Sequence, residues 1–180
     1  MEDYPFELEN FDPQVDEVTK EVIEYQPETT DRSIARRSSL QILYEIDSVK
    51  HPFKLVLQAH LDERPESQAV KRFIVTIIKG VLAHQQQLDE VIQQYAPEWP
   101  VEQIAIIDRN ILRIAVYEFA IQQRAPVPVI INEAVHLAQV FGAENAHSFV
   151  HGVLGALSAN LDGVLETLGD VAVDDEAELL

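Results

Sequence analysis

Residues 99–118 read WPVEQIAIIDRNILRIAVYE, and this stretch decides the fold class. Its apolar residues follow the 3.6-residue period of a helix continuing to about Gln122, with Leu112, Ile114 and Ala115 on the buried side. A helix that only filled a core would not need Glu102, Asp108, Arg109, Arg113 and Glu118 at such regular intervals. Arg109 and Arg113 stand i, i+4 to each other and are expected to pair with neighbouring acids of the same chain.

The same period governs the sequence on either side. A first helix is expected to start at Asp31 as N-cap and to run through RSIARRSSLQILYEIDS, with Leu40, Leu43 and Ile46 inward. A short second helix follows HPF, where Pro52 suits a first turn. A long third helix is expected over residues 66–95, stopped by the two prolines of APEWP. After the quoted helix, RAPVP leads into a fifth, VIINEAVHLAQVF, with Gly142 as a left-handed cap. A last helix runs from about Glu144 to Asn160. No alternating strand pattern, Gly-rich phosphate loop or internal repeat is present, so the expected class is all-α.

Composition narrows the functional classes. The chain of 180 residues is 47% hydrophobic, enough to bury a core, and has no cysteine, which excludes disulfides and thiolate-ligated metal. Its N-terminus lacks the basic-then-apolar order of a signal peptide, and no apolar run approaches a membrane span, so a soluble, cytoplasmic protein is expected. Taken as a total, the net charge of -18 argues against nucleic acid, but the charge is unevenly placed. Residues 1–31 hold 11 acids and one base, Lys20, and residues 161–180 hold 7 acids and no base. Residues 32–79 carry 9 bases against 5 acids, whereas residues 80–160 carry 3 against 8. The expected organisation is an acidic arm at 1–30, either disordered or forming a short helix between Pro13 and Pro27, then a helical domain at 31–160 and an acidic tail at 161–180.

Little of the sequence suggests catalysis. Glu133/His136 and Glu144/His147 have the Glu-x-x-His spacing of di-iron bundles, but they fall on adjacent short helices, where capping and exposure account for them. His147 and His151 lack the intervening glutamate of a zinc protease, and no serine sits in a nucleophile elbow. No enzyme activity, cofactor or metal is expected. Arg32, Arg36 and Arg37 stand out instead. Cations at a helix N-terminus oppose the macrodipole, so a sequence that accepts them there needs them for something else.

Four blocks resemble the NusB family of transcription antitermination factors: ARRSSLQILYEID (35–47), FIVTIIKGVLAHQQQLDEVI (73–92), the quoted stretch at 99–118, and VPVIINEAVHLAQVFGAENAHSFVHGVLGAL (127–157). The resemblance implies a compact fold of two packed helical bundles. It also implies binding to the boxA element of ribosomal RNA leader transcripts, jointly with the ribosomal protein called NusE in that context, within a read-through complex on RNA polymerase. Carried over by position, Arg32, Arg36 and Arg37 contact phosphates and Tyr44 a base or sugar. Glu144, Asn145, His147, Ser148 and Phe149 form the second edge of the RNA site, and Glu102 and Asp108 face NusE. The chain departs from the family pattern at Ser148, where Lys or Arg is usual, at Asn145 for Asp, at His151 for Asn and at Arg37 for Glu. The acidic arm, outside the common pattern, is expected to compete with RNA for the arginines. A helical protein-interaction adaptor with little RNA affinity is the alternative, and homodimerisation without the partner stays open. A NusB-like domain also precedes some RNA methyltransferases, but no cofactor-binding domain follows here, so the free-standing factor is expected.

Overall fold

A computed structural model describes residues 30–169, which form eight α-helices and no strand. These are α1 (Asp31–Val49), α2 (Phe53–Glu63), α3 (Gln68–Ala83), α4 (Gln85–Tyr95), α5 (Ile106–Val116), α6 (Val127–Phe141), α7 (Ala146–Ala159) and α8 (Leu161–Leu168). A short 3-10 turn, Val101–Gln103, precedes α5, and a π-helical segment, Tyr117–Gln122, extends it. Among the described residues, no helix is long and apolar enough to cross a membrane. The expected acidic arm lies outside the described residues, apart from Thr30, as does the end of the expected tail from residue 170 onward.

α5 is the hub. It packs against α1, α3, α4, α6 and α7, and Ile111, Leu112, Ile114, Ala115 and Val116 are all buried. On one side α1 lies along α3 and touches α2; on the other α6 pairs with α7, and α4 holds α8.

Four expectations are corrected. The N-cap of α1 is Thr30, not Asp31: its side chain accepts a hydrogen bond from the Ser33 N–H at 3.1 Å, which places Asp31 in the first turn, where an acid suits the dipole. The long third helix is two, because the chain leaves helical geometry at His84 (φ -113°, ψ 17°). A straight helix over residues 66–95 would run about 45 Å; the break instead lets α3 lie on α1 while α4 turns to α5 and α8. Gly142 is not left-handed but extended (φ -85°, ψ 177°). Residues 161–168, read as the start of the tail, form α8, which buries Val164 and Leu168 against α4.

Gly80 on α3 marks the closest approach of that helix to the π-helical segment, since a Cβ there would overlap the Tyr117 ring. Gly80→Ala should therefore destabilise the fold by about 1–3 kcal/mol through overpacking, against the roughly 1 kcal/mol that helix propensity alone would add. Urea unfolding of the variant would show a lower midpoint.

Candidate nucleic-acid interface

Three charges of the quoted stretch, Arg109, Arg113 and Glu118, fall into two ion-pair knots. Arg113 donates from Nε and Nη2 to the two carboxylate oxygens of Asp89 on α4, both at 2.7 Å, and from Nη1 to Asp47 on α1 at 2.8 Å. Asn110 donates to the same Asp47 oxygen at 3.1 Å, and Arg109 approaches it at 3.6 Å. The expected intramolecular pairing of Arg109 and Arg113 is thus what the structure shows. At the other end of α5, Glu118 receives both arms of Arg36, from Nε at 2.7 Å and Nη2 at 2.8 Å. Glu133 on α6 completes the knot, 3.3 Å from Arg36 Nη1, and accepts a hydrogen bond from Ser33 Oγ at 3.1 Å. Burial opposes the Arg36 charge, but the hydrogen bonds and charges of Glu118 and Glu133 outweigh it and hold the guanidinium pKa above its ordinary value.

Arg36 is therefore not placed as a phosphate contact: it is 3% exposed, with its guanidinium committed to two carboxylates. Arg32 and Arg37 are exposed at the same end of α1. Arg32 donates to the Arg124 carbonyl at 3.4 Å and lies over the Phe73 ring, 5.8 Å from its centroid. From Arg37 a stripe continues one and two turns along α1 to the half-buried Gln41 and to Tyr44, which is 44% exposed. Arg64, not singled out from the sequence, joins this face by donating to Gln41 Oε1 at 2.9 Å.

The second expected edge lies at the start of α7. Glu144, Asn145 and Ser148 are exposed, and His147 and Phe149 are half-buried. This edge stands on a different helix from the α1 stripe, and α5 packs on both. Ser148 and Phe149 instead line a cleft of about 360 Å³ with Tyr95 at the end of α4 and with Pro97 and Trp99 from the connection after it. Trp99 is 55% exposed. Three aromatic side chains around one cleft can offer stacking faces to unpaired bases, each worth about 1–3 kcal/mol. The sequence marks neither Tyr95 nor Trp99 as a binding residue: Tyr95 falls on the apolar face of its helix and Trp99 between the prolines that end it.

The two residues expected to face a partner part company. Glu102 is exposed on the 3-10 turn, at the rim of an open hollow of about 1040 Å³ that also takes in Asp89, Glu90 and several α4 glutamines. Asp108 is 8% exposed, and its Oδ1 has no hydrogen-bond partner among the described residues. It sits under the α6–α7 turn, where a Cβ on Gly142 would come within 3.1 Å of Oδ1. Burial raises the Asp108 pKa above 3.8, so the folded chain favours its neutral form. The associated stabilisation is complete below the unfolded-state value and is lost as the pH rises through the higher folded one. Relative to wild type, Asp108→Asn should thus gain stability from pH 4 to pH 7 in thermal unfolding; a difference independent of pH would contradict the burial of a titrating carboxylate.

A family model described as NusB family matches residues 33–159, nearly all of the described domain. The chain belongs to the NusB family. It is 44% identical to the transcription antitermination protein NusB of Dehalococcoides mccartyi (strain CBDB1) over 133 residues, 74% of this chain and 93% of that protein. Among solved structures it is similar to NusB of T. maritima, with 27% identity, a TM-score of 0.66 and coverage of 73% of this chain and 92% of that one. The NusB fold also recurs, at 20% identity and TM-score 0.66, in a structure of antitermination factors NusB and NusE in complex with dsRNA, covering 72% of this chain and 96% of that one.

Proposed function

We propose that this NusB-family chain is a cytoplasmic, non-enzymatic antitermination factor. It binds boxA-type RNA jointly with NusE and thereby joins a read-through complex on RNA polymerase. The observation that carries the reading is the α1 stripe: exposed Arg37 and Tyr44 in register with half-buried Gln41 between them, flanked by Arg32 and Arg64. Guanidinium groups beside an exposed aromatic ring suit single-stranded RNA, whose phosphates the cations position and whose bases stack. The cleft of Tyr95, Trp99 and Phe149, beside Asn145, His147 and Ser148, supplies a second set of stacking faces for the same strand. Ser148 contributes a hydroxyl where a cation is usual in the family, so the α1 cations carry most of the phosphate contact.

The partner docks on the acidic hollow rimmed by Glu90 and Glu102, where a basic ribosomal protein finds complementary charge. Glu90→Lys together with Glu102→Lys should weaken NusE binding about tenfold or more, chiefly through a slower and less salt-sensitive association. Asp108→Asn should leave that association rate unchanged, because Asp108 lies beneath the surface. Direct titration of the full chain with a short boxA-type RNA, single-stranded and as a duplex, tests the RNA half. Preference for the single strand supports the stacking faces, and equal binding of both forms would overturn them. No binding of either form, alone or with NusE, would leave the interaction adaptor in its place.

A further inference from the structure

Away from both faces just described, α2 and α3 enclose a groove of about 420 Å³. Its floor is apolar, formed by Phe53, Leu57, Leu61 and Val75, and its rim carries Lys54 from α2 and Lys71 and Lys79 from α3, against a single acid, Asp62. Lys71 donates to the Leu61 carbonyl at 2.6 Å, which fixes its ammonium at the mouth. A cationic rim over an apolar floor matches a segment that is both acidic and apolar on one side. The chain carries such a segment. Between Pro13 and Pro27, Val15, Val18 and Val22 stand at i, i+3 and i+7, and Glu17, Glu21 and Glu24 stand at i, i+4 and i+7, a second helical stripe. We propose that residues 13–27 of the same molecule occupy the α2–α3 groove, valines inward and glutamates on the lysine rim.

The reach is sufficient. The arm joins α1 where Arg32 lies over Phe73 at 5.8 Å, and Lys71 and Val75 stand two residues to either side of Phe73, on the other face of α3, so the arm has to pass around one helix about 10–12 Å across. The nine residues from Val22 to Asp31 span up to roughly 30 Å when extended, more than that separation requires. Docking there holds the ten acids of residues 1–29 beside lysines rather than beside Arg32 and Arg37. It replaces the expected competition with RNA by a tether that leaves the α1 stripe open.

Because the chain has no cysteine, Lys20→Cys in the full-length protein gives a single position for a spin label, on the side of the segment away from the valines. The proposal expects selective loss of the Leu57, Leu61 and Val75 methyl signals relative to the reduced label, and their return on raising the salt or on adding Lys54→Glu. Samples mixing labelled and isotope-enriched copies should show no such loss. No loss in the labelled chain, loss centred on Ile34 beside Arg37, or loss in the mixed samples would overturn it, the last by assigning the groove to a second copy. The methyl spectrum itself reports that each variant is folded.

Discussion

Replacing Glu118 by alanine is expected to lower the stability of the domain by about 3–5 kcal/mol, because it strands a buried guanidinium. At that size the melting temperature falls by about 10 °C or more. Glu133, 3.3 Å from Arg36, keeps one nitrogen paired and sets the loss toward the lower end. The joint replacement Arg36→Met with Glu118→Leu should recover part of it, since a packed apolar pair often equals a buried ion pair in stability, while Glu133 gives up its ion pair with Arg36. Denaturant unfolding of wild type, single and double variants measures both effects. The double variant also separates two roles for Arg36. If its guanidinium serves only the fold, RNA affinity survives the double replacement; a loss of affinity in that folded variant would restore Arg36 to the RNA face.

The second large effect concerns binding rather than folding. Arg32→Ala, Arg37→Ala and Tyr44→Ala combined should reduce affinity for a single-stranded boxA-type RNA by about 10- to 100-fold, from two phosphate contacts and one stacking face. The dependence of log affinity on log salt should become shallower by about 0.7 for each phosphate contact removed. All three side chains are exposed, so stability should stay within about 0.5 kcal/mol of wild type. Fluorescence titration across several salt concentrations checks affinity and slope together. An unchanged slope would mean that the lost contacts were not to phosphate.

The helices of this domain were legible because nearly every one has an apolar face at helical spacing. The same reading misplaced several boundaries for physical reasons. At His84 no proline or glycine marks the break; the chain bends because α3 and α4 have different neighbours, which periodicity within one segment does not reveal. α8 carried a readable signal in Leu161, Val164, Leu165 and Leu168, at i, i+3, i+4 and i+7, which the acids around it masked. The arginines show the limit more sharply. A basic cluster at a helix start reads as surface, and the carboxylate that buries Arg36 stands 82 residues away. The unfavourable position of those cations against the helix dipole was a hint that a compensating acid existed. Asp108 and Glu102 looked equivalent in the sequence, but the 3-10 turn exposes one while the α6–α7 turn covers the other. Nothing in the order of residues brings Trp99 and Tyr95 beside Phe149; the packing of α7 against α4 does that.

The central claim is that one molecule joins RNA and NusE, and linkage between the two ligands tests it most directly. Affinity of the full-length chain for a short single-stranded boxA-type RNA should be measured with and without saturating NusE, at low and at physiological salt. The account predicts tighter RNA binding with NusE at both salts, with weaker binding in each case as salt rises, because two contacts on one assembly reinforce each other and both use charge. RNA affinity that NusE does not change, although NusE itself binds, would contradict it and leave a protein-binding helical adaptor.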